Sequence, residues 1–481
     1  MSNKKHIIRW SLLIIGLIIT IVPIIGSLLN MYIDCDSAYY LSMVERIADG
    51  YVPYKTLNLG YTPLWFYLTF IYKWIFSIPS GIYEPYLFLH FLYQIGCAFF
   101  IYKILGIFKY RKELSLFTAY LFILMTHWLN GNSVLLEMPS MFFGLMSSYL
   151  VLKYQYESVL HYLWIGGICA CSFLCKQFGL GFLPLALYLI ICFNNDNKIK
   201  KSIFLLFGYS MPIIACFIIW GKDFIPLILS GYGTTSAESA GYDVSIQAKL
   251  IQIIGNCIYH FKRINPIIIL SLLFVPVIFK QKKWKEYLFC LCGLLGFMLQ
   301  FYFVNGGLHY QLYTIPFSVM IISILLSLDV NKWKKIIIYI FVGITLILSL
   351  YSTYNNRVYK ILCKTNFKQE QINCAKWLNE NTEEGKTLFI VHGGIFYNYY
   401  LTNILPVNIS TIGYSFGPLG LNEDECSQQI DSADYILRFT KDYPYESFFT
   451  SEMKQRCEKM PAIYYNDEIV LHINSKYKKV E

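Results

Sequence analysis

The chain is predicted to be a polytopic α-helical membrane protein with a small α/β domain in its last quarter, and three observations predict it. Of its 481 residues 56% are hydrophobic and only 15% are charged, against about 25% charged in a soluble domain. Apolar runs suited to a bilayer recur through the first three quarters. After about residue 356 the composition turns to that of a soluble domain. The net charge of +10 does not point to nucleic acid. The Lys and Arg sit mainly in short loops between apolar runs, with no basic tail and no nucleic-acid motif.

Lys4, Lys5 and Arg9 flank the run 7–30, which is too long for a signal-peptide core and has no small-residue cleavage site after it. It is expected to stay as a signal anchor with the amino terminus in the cytoplasm. Asp34 and Asp36 then fall on the outer face. From Ala38 to Asp49, Tyr40, Leu41, Val44, Ile47 and Ala48 repeat at helical spacing, with Ser42, Glu45, Arg46 and Asp49 opposite. That pattern suits a helix lying on the membrane surface, and Gly50 ends it. The stretch 63–78 is apolar and rich in Trp and Tyr, with Lys73 inside it. By itself it fits either a span or an interfacial helix.

The distribution of basic residues decides. If 63–78 does not cross, spans fall near 7–30, 86–108, 114–130, 138–152, 160–175, 178–193, 202–220, 265–279, 287–304, 311–328 and 335–354. The groups around Lys109, Arg111 and Lys112, around Lys198 to Lys201, around Lys280 to Lys285 and around Lys332 to Lys335 then all lie inside. The longer outer loops carry fewer, and the opposite parity reverses the bias. About eleven transmembrane helices follow, in the inner (cytoplasmic) membrane, with amphipathic juxtamembrane helices in the first outer loop (31–82). The division is a transmembrane domain over 1–356 and an extracytoplasmic α/β domain over 357–481. Several spans are shorter than the roughly 20 residues a bilayer core needs; they extend into their flanks or border an outward cavity.

The loop 221–264 carries the patch GYGTTSAESAGYD and an amphipathic stretch over 246–261, which reads equally as a flap or a connector. In the last quarter, 367–379 reads as a helix with Trp377, Thr387 to Val391 and Ala433 to Phe439 as strands, and Ala462 to Ile473 as a hairpin around Asn466-Asp467. No nucleotide loop, catalytic Ser or Cys motif, or metal cluster occurs there. Of fourteen Cys, those inside apolar runs read as packing residues. Cys35, Cys257, Cys363, Cys374, Cys426 and Cys457 fall in outer segments where disulfides could form.

On this topology five ionisable groups collect at the outer membrane surface: Asp34, Asp36, Glu137 in NSVLLEMPS, Lys176 in FLCKQFGLG and His309 in NGGLHYQLYTIP. Each is costly at membrane depth and is therefore a functional candidate. One chemistry suits the set. A sugar on a polyprenyl phosphate is attacked at its anomeric carbon by an acceptor hydroxyl, and the phosphate leaves without needing a general acid. One carboxylate takes the acceptor proton, which suits Asp36 or Asp34. Cations and hydrogen-bond donors surround the phosphate, which suits Lys176 with His309, Tyr310 or Arg46. Glu137 suits sugar or acceptor hydroxyls, or a divalent metal, although the sequence requires no cofactor. Tyr39 and Lys55 are further candidate substrate contacts in the first loop. Structural roles compete. Asp36 or Ser37 could cap a helix starting at Ala38, and Asp34 could be an exposed loop acid. Glu137, ahead of Pro139, could cap its helix; Lys176 could snorkel to headgroups; His309 could satisfy a span end.

The stretch DSAYYLSMVERIADGYVPYKTLNLGYTPLWFYL resembles the first loop of the GT-C membrane glycosyltransferases. The likeness is above all to the RgtA/B/C/D-like, protein O-mannosyltransferase-like and lipid A aminoarabinose transferase-like group. Asp36, Tyr39, Gly50, Pro53-Tyr54 and Pro63-Leu64 carry it. LLEMPSMFFGLMSSYL resembles the second acidic element of that group, CSFLCKQFGLGFLPLALYL its Lys-containing hairpin and GGLHYQLYTIPFSVMI its late His-Tyr element; AKWLNENTEEGKTLFIVHGG resembles the start of its outer domain. The resemblance implies a GT-C fold and an inverting transferase using a polyprenyl- or dolichyl-phosphate sugar. The partners it implies are a lipid bilayer and a glycolipid, glycan or protein acceptor. This chain departs from the pattern at Ser37, where a second acid is usual, in TLNLGYTPL, and at His90, where an Arg is common. A transporter or flippase, a polysaccharide polymerase and an inactive scaffold are the competing classes. Against transport, the charges gather at one face and no repeated halves are seen.

Overall fold

The computed structural model describes residues 35–221, 266–298, 308–354 and much of 369–474, apart from isolated positions, with helical residues of the first apolar run between 14 and 28. Asp34, the patch GYGTTSAESAGYD and most of 246–261 lie outside the described residues. The chain divides into two units: residues 1–32, 86–218 and 246–365 in one, and 33–85, 219–245 and 366–481 in the other.

In chain order, α1 (Cys35–Ala48) and α2 (Leu64–Ile75) belong to the second unit. The first unit is helical. It comprises α3 (Glu84–Ile107), α4 (Lys112–Trp128), α5 (Glu137–Lys153), α6 (His161–Cys175), α7 (Phe182–Phe193) and α8 (Lys198–Trp220), then α9 (Pro266–Leu273), α10 (Val275–Lys280), α11 (Trp284–Met298), α12 (Ile315–Leu326) and α13 (Lys332–Thr353). Among the described residues four helices are long and apolar enough to cross a bilayer: Glu84–Ile107, Lys198–Trp220, His309–Leu326 and Lys332–Tyr351. The run read as 265–279 is two helices. Pro276, in the first turn of α10, has no N–H to offer the carbonyl of Leu272, so the ladder breaks near Phe274. The run read as 178–193 opens with a 3₁₀ turn, Gln177–Gly181, before α7 begins.

Within the bundle, α12 is buried from Ile315 to Leu325. Helices α6 and α8 meet backbone to backbone through two glycines. A Cβ at Gly208 would stand 1.8 Å from the Leu163 carbonyl oxygen, and one at Gly166 2.1 Å from that of Leu205. Small residues that let backbones touch are the usual means of helix association in lipid. At the Lys-rich end, ammonium groups close the carbonyl ends of neighbouring helices. Lys201 donates to Gln155 O at 2.6 Å, Lys198 to Ile191 O at 2.7 Å, Lys285 to Cys192 O at 2.7 Å and Lys283 to Ser327 O at 2.9 Å.

In the second unit, α1 is buried over most of its length, including Ser42, Glu45 and Arg46. The polar side of this helix is thus covered at Ser42, Glu45 and Arg46. The physical reason is local pairing: Lys73 of α2 bonds Glu45 at 3.1 Å and the Ile78 carbonyl at 2.9 Å, and Ser80 Oγ donates to Glu45 Oε2 at 2.7 Å. Helix α2 has 12 residues, about 18 Å at 1.5 Å per residue, well short of a bilayer core of ~30 Å.

The same unit contains α14 (Gln369–Asn381), β1 (Thr387–Ile390), β2 (Leu405–Pro406), α15 (Glu423–Ser432), β3 (Tyr435–Phe439), α16 (Ser451–Glu458), β4 (Ala462–Tyr465) and β5 (Ile469–Ile473). The sheet order is β2-β1-β3-β5-β4, parallel through β3 and antiparallel beyond it. Asp434 ties β1 to β3 by accepting from Thr387 N and Thr387 Oγ1, each at 2.9 Å. The turn between β4 and β5 is held by Asn466, whose Oδ1 accepts from Ile469 N at 2.8 Å. Cys374, Cys426 and Cys457 are buried free thiols, and burial pushes them up to about 12, about 12 and about 11 respectively.

Gly208→Val forces a side chain against the Leu163 carbonyl. Overpacking of this kind costs about 1–3 kcal/mol, so the thermal midpoint of the detergent-solubilised protein should fall by several degrees. An unchanged midpoint would mean that α6 and α8 do not touch through these glycines.

Candidate functional site

Three ionisable side chains from separate segments of the helical unit converge. Glu137 is the first residue of α5 and is fully buried, and Lys176 is 1% exposed. Lys176 Nζ donates to Glu137 Oε1, and His309 Nε2 stands 3.8 Å from the same oxygen. Tyr310 completes the group: Lys176 Nζ lies 4.7 Å from its ring centroid, and the His309 and Tyr310 rings are 4.2 Å apart. Phe178 packs edge-on to Tyr310 at 5.5 Å. Glu137 Oε2 is buried with no hydrogen-bond partner among the described residues. A carboxylate in the first turn also sits at the positive end of the helix dipole.

The local sequence explains how these groups reach one another. Helix α6 stops at Cys175, and Lys176 is extended, with φ −155 and ψ 135, before the 3₁₀ turn 177–181. This break frees the Lys176 side chain from the ladder of α6. Gly179 N–H closes the turn on Lys176 O at 2.8 Å. A Cβ at Gly179 would lie 2.3 Å from Ser172 O, so the turn packs on α6 only as glycine. Ser140 and Ser172 lock α5 to α6 reciprocally: each Oγ donates to the other residue's carbonyl, at 2.8 and 2.7 Å. Ser140 is three residues after Glu137, and Ser172 four before Lys176. The lock therefore sits one turn from the ion pair.

The structure thus brings together Glu137, Lys176, His309 and Tyr310. Asp36, Tyr39, Arg46 and Lys55 belong to the other unit, and Asp34 lies outside the described residues. Helix α1 begins at Cys35, so Asp36 is inside its first turn and does not cap a helix starting at Ala38. Tyr39 is buried, and burial together with the charge of Asp36 pushes its phenol up. Arg46 pairs with Asp49 at 2.9 Å, and Lys55 is exposed in a turn. The capping position of α5 is Leu136, and Lys176 is too deeply buried to reach headgroups. Ser140, Ser172 and Gln177 were not singled out from sequence. Their signal was polarity inside apolar runs beside a charged residue. Gln177 is buried with Oε1 lacking a partner among the described residues.

No protein-family model matches the sequence, and no curated protein sequence matches it. Solved structures do. ArnT from Cupriavidus metallidurans bound to undecaprenyl phosphate aligns with a TM-score of 0.58 at 11% identity, over 98% of each chain. The archaeal oligosaccharyltransferase AglB from Archaeoglobus fulgidus, in complex with an inhibitory peptide and a dolichol-phosphate, aligns at 0.51 and 11% identity over 90% of this chain and 70% of that one. Identity at this level carries the fold and not the substrates. The chain shares the fold of these two proteins, and four of its described helices are long and apolar enough to cross a membrane.

Lys176→Met takes the ammonium from a buried Glu137 and leaves only His309, at 3.8 Å, as an ionic partner among the described residues, and breaking a buried pair by removing one partner costs roughly 3–5 kcal/mol. Adding Glu137→Gln removes the carboxylate charge, so the double variant should unfold closer to wild type than Lys176→Met alone. Thermal unfolding in lipid nanodiscs measures this. A double variant less stable than the single one would show that the pair is not the dominant interaction at this point.

Proposed function

We propose that the protein is an integral membrane glycosyltransferase. It moves a sugar from a polyprenyl-phosphate donor to an acceptor hydroxyl on the outer face of the cytoplasmic membrane, with inversion. The amino terminus is cytoplasmic, and the carboxy-terminal α/β part faces outward. The observation that carries the reading is Glu137, buried in a GT-C fold with one carboxylate oxygen tied to Lys176 and the other unpartnered among the described residues. Undecaprenyl phosphate in the ArnT structure and dolichol-phosphate in the AglB structure support a lipid-phosphate donor.

In the reaction, the acceptor oxygen attacks the anomeric carbon from the face opposite the phosphate. The bond from that carbon to the phosphate oxygen breaks, and polyprenyl phosphate leaves with the electron pair. The acceptor proton passes to the Asp36 carboxylate, with Asp34 beside it in sequence. Lys176, helped by His309 or Tyr310, stabilises the departing phosphate. Glu137 Oε2 accepts a hydroxyl of the sugar or the acceptor, and Tyr39 and Lys55 add contacts from the first loop. The acceptor is a glycolipid, a glycan or a protein.

The test is release of free polyprenyl phosphate by purified protein given a panel of polyprenyl-phosphate sugars and a host glycolipid extract. Wild type should release it with at least one donor, and Asp36→Asn should release it about 10²–10⁴-fold more slowly, the usual worth of a general base. Equal rates would remove Asp36 as base. Because protein cations are proposed to carry the phosphate charge, release should persist in excess chelator. Loss on chelation, restored by a divalent ion, would give that charge to a metal.

A further inference from the structure

Helix α3 carries His90, Gln94 and Cys97 on one face, at spacings of four and three residues, and all three are buried. Together they grip the connection that leads from α4 to Glu137. Gln94 Nε2 donates to Thr126 Oγ1 at 2.5 Å, and the Thr126 carbonyl accepts Gly131 N–H at 2.9 Å. The Gly131 carbonyl lies 3.1 Å from His90 Nε2, and Leu135 N–H donates to His90 Nδ1 at 3.4 Å. Further on, Cys97 Sγ donates to Met138 O at 3.7 Å. The Leu135 amide can only donate, so Nδ1 is the acceptor and the ring proton sits on Nε2, aimed at the Gly131 carbonyl. Gly131 is the residue the loop needs here, because a Cβ would lie 2.5 Å from Thr126 O. Leu135 and Met138 bracket Glu137 in sequence, so these bonds hold the backbone on both sides of it.

We propose that His90 is a positioning residue for Glu137. Its two ring nitrogens pin the loop at Gly131 and Leu135, and this fixes where α5 begins and hence where the Glu137 carboxylate meets Lys176. The consequence for turnover rests on the transferase reading; the clamp itself does not.

His90→Phe keeps a ring and removes both nitrogens, whereas His90→Gln keeps a donor and an acceptor. With a donor that the full-length wild type uses, His90→Phe is expected to lower turnover on the order of 10²-fold, the scale of about a 1 Å misplacement. The donor KM should change far less, and His90→Gln should recover most of the rate. In a Glu137→Gln background, His90→Phe should cost little more, because the group it positions is already gone. Equal losses in both backgrounds would mark a merely structural residue and overturn the proposal. Hydrogen exchange at amides 131–138 reads the clamp without turnover. It should quicken in His90→Phe and stay near wild type in His90→Gln. Unchanged exchange overturns the clamp whatever the activity. Quickened exchange, in a protein that uses no donor offered, supports the clamp and rejects the transferase reading instead. If His90→Phe does not fold, Gly131→Ala, which pushes on the Thr126 carbonyl, replaces it in every comparison.

Discussion

A carboxylate and an ammonium buried side by side in a helical bundle set the terms for everything around them. Either charge alone at that depth would cost roughly several kcal/mol. Glu137 and Lys176 therefore persist only where α5 and α6 are held at matching heights. The reciprocal Ser140–Ser172 bonds provide that alignment one turn away. The extended backbone at Lys176 provides the reach, and Gly179 lets the following turn fold back onto α6. Each is a backbone or small-residue device with little value unless a charge pair has to be placed.

The pair also limits what the site can do. Its charges largely cancel, so it presents to a ligand mainly the acceptor oxygen Glu137 Oε2 and whatever donor capacity Lys176 retains. An ammonium has three donors, so binding Glu137 does not by itself exhaust it. In the proposed reaction Lys176 acts on two anions, one permanent and one arriving. The Tyr310 ring beneath it, at 4.7 Å, steadies the cation through its π face without neutralising it. His309 stands beside the pair, 3.8 Å from Glu137 Oε1.

Glu137, Lys176 and His309 were legible in the sequence because a charged group in an apolar run has no cheap explanation. The helices and the β4–β5 hairpin were legible from periodicity and from Asn466-Asp467. What could not be read were contacts whose partner is backbone or lies far along the chain. The partner of Glu45, Lys73, is 28 residues away, and the pattern of α1 alone cannot show that both faces are covered. His90 stood out only as a departure from a family pattern. Its value lies in two backbone groups more than 40 residues on, and nothing in the composition of α3 names them. The break at Phe274 was readable from Pro276 but was hidden by uniform apolarity, which periodicity arguments cannot divide.

The Lys-rich loops connect topology to stability. In the sequence, clustered basic residues between apolar runs carry the orientation signal. In the structure Lys198, Lys201, Lys283 and Lys285 each bond a carbonyl at or just past a helix carboxy terminus. Those carbonyls are the negative ends of helix dipoles and lack intrahelical partners. A lysine there satisfies an orphan acceptor and opposes a partial charge in one contact. Lys201 goes further: fully buried, it also bonds Asn194 Oδ1 at 3.0 Å and Asp196 at 3.2 Å, over the Tyr162 ring. The charge bias that reads as orientation is thus also the cement between neighbouring helices. Exchanging Lys198, Lys201, Lys283 or Lys285 for a neutral residue removes the donor that covers a helix end.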